Sequence, residues 1–196
     1  VNTKVNLSGL ILDNPVIPAS GTYGFGKEYV DFYDINILGS ISIKGTTVQR
    51  RKGNPQPRIA ECYSGLINSV GLENPGMENV IQKELKDLEK IYRKPVIANI
   101  SGFSVEEYVT LAREMDKVDN VGIIEVNISC PNVDHGGLAF GTNADNVREL
   151  TKKIKEVTTK PVYMKLSPNV TDIKEIARAA EEGGADGISL INTLMG

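Results

Sequence analysis

Along the chain, short runs of β-branched and aliphatic residues alternate with segments whose apolar positions recur every three or four residues. The runs Pro15–Ala19, Leu38–Ile43, Val96–Ile100, Gly122–Val126, Val162–Leu166 and Gly187–Ile191 are apolar over most of their length, which is the pattern of parallel strands buried on both faces. Ile81, Leu85, Leu88 and Ile91, and later Val147, Leu150, Ile154 and Val157, fall at helical spacing. Ser104 with Glu107 forms a capping box ahead of Tyr108, Ala112 and Met115. Thr171 is placed to cap Ile173, Ile176, Ala177 and Ala180, and Gly183-Gly184 stops that helix. Lys94-Pro95 and Lys160-Pro161 each precede a strand, where proline is tolerated at the first position. Repeated β-α units without a linker predict one α/β domain over residues 1–196, either an open doubly wound sheet or a (β/α)8 barrel.

Two segments interrupt this rhythm. Val1–Asp13 reads as a small hairpin turning at Ser8-Gly9, suited to capping the bottom of a barrel. Residues 45–76 hold Gly, Pro, Arg and Asn without helical period, and so long an excursion is expected to be functional.

Each predicted strand runs apolar and finishes on a polar group: Ser20, Lys44, Asn99, Asn127, Lys165 and Asn192-Thr193. In a barrel these ends carry the chemistry. Two lysines and three asparagines converging there predict an anionic ligand rich in amide groups. The densest stretch is Asn127-Ile128-Ser129-Cys130-Pro131-Asn132. Its carboxamides can grip a ring bearing imide and carbonyl groups, and a thiol between them can act as a base or nucleophile.

The remaining composition mostly excludes. Net charge is −3, from 22 basic and 25 acidic residues mixed along the chain, so nucleic acid is not an expected partner. No apolar run approaches the roughly 20 residues of a membrane span, and the N-terminus lacks the plan of a signal peptide. Cys62 and Cys130 are too few for a disulfide framework or an iron–sulfur cluster, and His135 is the sole histidine, so no metal site is expected and the compartment reads as the cytoplasm. Gly21-Thr22-Tyr23-Gly24-Phe25-Gly26 does not have the glycine spacing of a dinucleotide fingerprint.

Taken in order, Pro18-Ala19-Ser20-Gly21, Gly24–Tyr29, Gly53-Asn54-Pro55, Asn68–Leu72, Asn127–Asn132, Gly136–Thr142, Lys165–Thr171 and Leu190–Gly196 resemble the class 1 dihydroorotate dehydrogenases, most closely the catalytic subunit of the NAD-linked class 1B form. The resemblance covers the whole chain. It implies an FMN-containing (β/α)8 TIM barrel that oxidises dihydroorotate to orotate in pyrimidine biosynthesis. On that fold residues 1–196 would supply an N-terminal hairpin and about the first six βα units. A barrel of about 250 residues would then place the C-terminal part, with the FMN phosphate loops, beyond Gly196.

Carried onto this sequence, the resemblance makes Cys130 the base that takes a proton from substrate C5 while hydride leaves C6 for flavin N5. Asn68, Asn127, Asn132 and Asn192 would hold the pyrimidine ring, with Thr193 beside them and backbone contacts from Val70, Gly71 and Leu72. Lys44 would lie between flavin and substrate carboxylate. Ala19, Ser20, Gly21, Lys44, Thr46, Asn99, Asn127, Lys165 and Ile191 would line the FMN, with Lys165 near its N1–C2 edge. The glycines of Pro131–Thr142 have the composition of a lid hinge; His135 on that loop reads as solvated, and Cys62 as incidental. Class 1B further implies a partner subunit carrying FAD and [2Fe–2S] that passes electrons to NAD, around a homodimer of catalytic chains in a heterotetramer. The fumarate-linked class 1A enzyme, another pyrimidine-reducing FMN barrel and a truncated, silent scaffold stay open as alternatives.

Overall fold

The computed structural model describes residues 1–129 and 140–196. Strands β1 (Val5–Leu7) and β2 (Leu10–Leu12) pair antiparallel around Ser8-Gly9. Both turn residues have positive φ, 49° and 96°, and glycine takes such a value without steric cost. The hairpin seats against the beginnings of later strands. Ser8 Oγ donates to the Asp186 carbonyl at 3.1 Å and lies 3.0 Å from the Tyr163 hydroxyl. A Cβ on Gly122 would come within 3.0 Å of Leu10, so the glycine lets the hairpin approach.

A single helical turn, α1 (Ser20–Tyr23), follows. The excursion then carries a second antiparallel hairpin, β3 (Ile59–Cys62) with β4 (Gly65–Asn68), whose residues are all exposed. Helix α2 (Met77–Asn79) passes through a π turn at Val80–Glu84 into α3 (Leu85–Ile91). The rest alternates regularly: β5 (Val96–Ile100), α4 (Val105–Asp116), β6 (Val121–Asn127), α5 (Ala144–Lys155), β7 (Val162–Lys165), α6 (Ile173–Glu182) and β8 (Gly187–Ser189). These four strands form a parallel sheet in sequence order. Every residue of β5 is buried. Tyr108, Leu111, Ala112 and Met115 of α4, and Val147, Leu150 and Ile154 of α5, are buried and belong to the same core.

The two earliest predicted strands are not regular strands. Pro15–Ala19 and Leu38–Ile43 are extended segments joined to their neighbours by scattered bonds: Gly39 N–H to Val16 at 2.9 Å, Ser42 N–H to Pro18 at 3.4 Å, Ile43 N–H to Ile97 at 3.0 Å. Ser42 and Thr46 make only isolated parallel bridges, to Ile97 and Ile100. Prolines at 15 and 18 remove backbone donors, which keeps the first segment from forming a continuous ladder. All six segments still lie side by side in chain order. The last strand is also shorter than predicted, because the chain leaves the sheet after Ser189.

Capping follows local chemistry with two shifts. Ser104 accepts from Glu107 N–H at 3.3 Å, but the reciprocal arm, Glu107 Oε2, takes Phe103 N–H at 2.7 Å. Asp172, not Thr171, caps α6, accepting from Lys174 N–H at 2.9 Å; a carboxylate suits the positive end of the helix.

Asp116, the last residue of α4, ties that helix to the approach to β7. Its Oδ1 accepts from Thr158 Oγ1 at 2.6 Å, Thr159 N–H at 2.8 Å and Lys160 N–H at 3.2 Å. Burial pushes the carboxyl up, but these donors outweigh it and hold it below the ordinary aspartate value of 3.8. A carboxyl depressed in the folded state stabilises above its unfolded value, and that contribution is lost as pH falls through the folded one. Asp116→Ala is therefore expected to cost about 1–3 kcal/mol near neutral pH, with the deficit narrowing in acid. Urea unfolding at the two pH values checks this; a deficit of equal size at both would show that the charge contributes nothing.

Candidate active site

Parallel register places the polar strand ends next to one another. Asn127 of β6 is the partner of Lys165 on β7, Lys165 is the partner of Ser189 on β8, and Asn99 on β5 is the partner of Glu125. Asn127 Oδ1 accepts from Asn192 Nδ2 at 2.9 Å and from Ser129 N–H at 3.1 Å. The Asn127 carbonyl takes the Tyr108 hydroxyl of α4 at 2.7 Å. Asn192 is held by its own N–H to Leu166 at 3.0 Å, and its Oδ1 accepts from Thr193 N–H at 2.7 Å. Two carboxamides and a threonine thus sit as one bonded group at the end of the sheet.

A second group lies beside it. Thr46 N–H donates to the Asn99 carbonyl and Ser101 N–H to the Thr46 carbonyl, both at 2.9 Å. Asn99 Nδ2 donates to Glu125 Oε2 at 2.5 Å, and Ser42 Oγ donates to the same oxygen at 3.1 Å. Asn99 Oδ1 is buried and has no hydrogen-bond partner among the described residues; the same holds for Ser101 Oγ and Ser129 Oγ. Gly45 leaves the space at Asn99 open, since a Cβ there would stand 2.8 Å from Oδ1 and 3.1 Å from Leu72 Cδ1. Buried polar atoms are normally paired. An acceptor with no donor beside a bare glycine is the lining that a ligand with N–H and O–H groups requires, and FMN has both.

Lys44 is half-buried, and burial pushes its ammonium below the usual lysine range; Arg58 and Lys165 push the same way, while Glu73 opposes them. The cations share a neighbourhood that favours an anion. Lys44 also lines a cleft of about 460 Å³ with Phe25, Arg51, Glu73 and Asn74.

The backbone of Val70-Gly71-Leu72 is fixed from several sides. Gly71 and Leu72 have φ of 74° and 57°. A Cβ on Gly71 would lie 2.8 Å from Asn54 Cγ, so only glycine fits there. Asn54 N–H donates to Val70 at 3.0 Å, and buried Asn74 donates to Leu72 at 2.8 Å while accepting from Gly76 N–H at 2.9 Å. Arg58 pairs with Glu73 across this loop.

Asn68 stands on exposed β4, opposite Ile59. Ser20 is buried in α1, Ala19 caps it, and Gly21 faces open space. Ile191 is exposed. Cys62 is an exposed free thiol on β3. Cys130 and Asn132 lie outside the described residues, as do Pro131–Ala139 of the candidate lid. Glu125, Ser42, Tyr108, Asn74 and the Arg58–Glu73 pair were not among the sequence candidates. Glu125 had a usable signal, a charge inside an otherwise apolar strand; the others are hydroxyl, amide and ion-pair residues that each bond to a partner 15 or more residues away.

The model of the dihydroorotate dehydrogenase family matches residues 2–196, and the chain belongs to that family. It is 57% identical to the dihydroorotate dehydrogenase B (NAD(+)) catalytic subunit of Bacillus cytotoxicus, over 98% of this chain and 62% of that protein. The protein of the same description from Bacillus cereus strain AH187 is 56% identical with the same coverage. The chain thus spans 62% of the length of these curated relatives. A crystal structure of Eimeria tenella DHODH in complex with ferulenol superposes with a TM-score of 0.76 over 98% of this chain and 60% of that one, at 20% identity, a likeness of fold. Among the described residues no helix is long and apolar enough to cross a membrane.

Among the described residues, Glu73 is the group that raises Lys44 against burial and the two cations. Glu73→Gln is expected to move the Lys44 titration further down, read by NMR of the labelled ammonium or by the pH dependence of reductive methylation. An unmoved titration would remove Glu73 from this electrostatic balance.

Proposed function

We propose that this chain is the catalytic part of an NAD-linked dihydroorotate dehydrogenase, oxidising dihydroorotate to orotate with FMN. The observation that carries the reading is the strand-end row itself: Asn127 bonded to Asn192, Lys165 in register beside Asn127, and Lys44 close enough to Lys165 for repulsion. Carboxamides match a ring of imide and carbonyl groups, and two cations match a substrate carboxylate and an electron-rich cofactor. The 57% identity to a protein described as a catalytic subunit supports the assignment.

On this reading the domain of residues 1–196 supplies the hairpin and the first six units of a (β/α)8 barrel, consistent with six neighbouring segments in chain order. Asn99, Thr46, Lys44, Asn127 and Lys165 hold the FMN, with Ala19, Ser20, Gly21 and Ile191 around it. FMN, when bound, supplies the hydride acceptor. Asn68, Asn127, Asn132, Asn192 and Thr193 orient the pyrimidine, Val70, Gly71 and Leu72 offer fixed backbone groups, and Lys44 faces the carboxylate. Cys130 removes the proton from C5. Electrons leave through a partner subunit with FAD and [2Fe–2S], in a heterotetramer built on a dimer of catalytic chains, in the cytoplasm.

Two outcomes test this. Cys130→Ala should slow flavin reduction by dihydroorotate by about 10² or more, with orotate binding much less affected and Cys62→Ala nearly silent; equal reduction rates would remove Cys130 from the chemistry. The full catalytic chain alone should pass electrons from dihydroorotate to an artificial dye, yet reduce NAD only after an FAD and iron–sulfur subunit is added. Rapid NAD reduction by the lone chain would overturn the partner, and rapid turnover with fumarate would reassign the acceptor.

A further inference from the structure

Glu125 is the one charged residue in β6, and it is 7% exposed. An ionised carboxylate can only accept hydrogen bonds. Its Oε2 takes Ser42 Oγ at 3.1 Å and Asn99 Nδ2 at 2.5 Å. With the amide nitrogen of Asn99 committed to Glu125, the amide is held against turning over, and Oδ1 is left buried without a donor among the described residues, beside Gly45 and Leu72. We propose that Glu125 is a positioning residue: it fixes the Asn99 amide so that Oδ1 accepts from an N–H or O–H group of bound FMN. The inference rests on the flavin reading above.

A carboxylate that merely clipped β5 to β6 would be indifferent to which atom of Asn99 faces the ligand. Orientation requires a carboxylate on one side and an amide on the other, and the polarity can be inverted. In the full catalytic chain, Asn99→Asp sets two carboxylates face to face and should weaken FMN binding about tenfold or more, the scale of one lost hydrogen bond. Adding Glu125→Gln puts the amide donor on the opposite side of the contact, leaves an acceptor toward the ligand, and should restore affinity to within about threefold of the parent. Fluorescence titration of the stripped proteins with FMN reads the affinities, and unfolding midpoints confirm the fold. A double variant that binds no better than Asn99→Asp alone overturns the inference and leaves the flavin reading intact. A parent chain that binds no FMN overturns both.

Where Asn99→Asp fails to fold, analogues carry the same test on the parent and on Glu125→Gln. N3-methyl-FMN lacks the ring imide donor, and the 2′-, 3′- and 4′-deoxyribityl forms of FMN each lack one chain hydroxyl. The analogue missing the relevant donor should lose about tenfold against FMN in the parent and less in the variant, which also identifies the donor. Equal losses in both proteins, or no loss in the parent with any of the analogues, overturn it.

Discussion

Register in the parallel sheet is the constraint on which the rest depends. Because Asn127 pairs with Lys165 and Lys165 with Ser189, the ends of β6, β7 and β8 reach the same edge of the sheet together. Side chains alternate faces along a strand, so a slip of one residue would send Asn127 or Lys165 to the other face and replace it with an apolar neighbour. A slip of β6 would also break the buried hydrogen bonds of Glu125 with Ser42 and Asn99, which opposes it. The core that α4, α5 and α6 build with β5–β7 therefore does two jobs, stabilising the sheet and holding two carboxamides and a lysine in line.

Buried polar groups then sharpen what register sets coarsely. Glu125 and Asn99 share a face of the sheet with buried Ile97 and Ile123, opposite the face that carries Ile124 and Val126, and Ser42 bonds to Glu125 there. A buried charge is costly unless it is hydrogen-bonded, and both donors found here come from other segments. Asn74 plays a comparable part in the long excursion. Its amide links Thr47, Leu72 and Gly76, giving an irregular loop a fixed course without a helix or a continuous strand. The exposed β3–β4 arm projects from this anchored loop, and Arg58 returns from it to Glu73.

Electrostatics adds the third layer. Lys44 is pressed from burial, Arg58 and Lys165 toward giving up its proton, and Glu73 resists. Such an arrangement leaves positive potential at the strand ends. The same edge thus carries neutral donors and acceptors from asparagine and charge from lysine, which serve different parts of a ligand that is both amide-rich and anionic.

Periodicity in the sequence was enough to determine the α/β alternation, the later four strands and the three long helices, because their apolar faces repeat over enough residues to dominate local preference. The polar strand ends Lys44, Asn99, Asn127, Lys165 and Asn192 were legible for the same reason: each stands just after an apolar run or one residue before its end. Asn68 carries no such mark, and the structure leaves it exposed on the β3–β4 arm. Other features needed the folded chain. Prolines at 15 and 18 made the first segment irregular, the cap of α6 moved to Asp172, and the excursion found its order through Asn74. The pairing of Asn99 with Glu125, 26 residues apart, belongs to tertiary structure alone. A hydrogen bond between adjacent strands is fixed by which residues packing brings into register, and a linear pattern of polar and apolar positions does not contain that information.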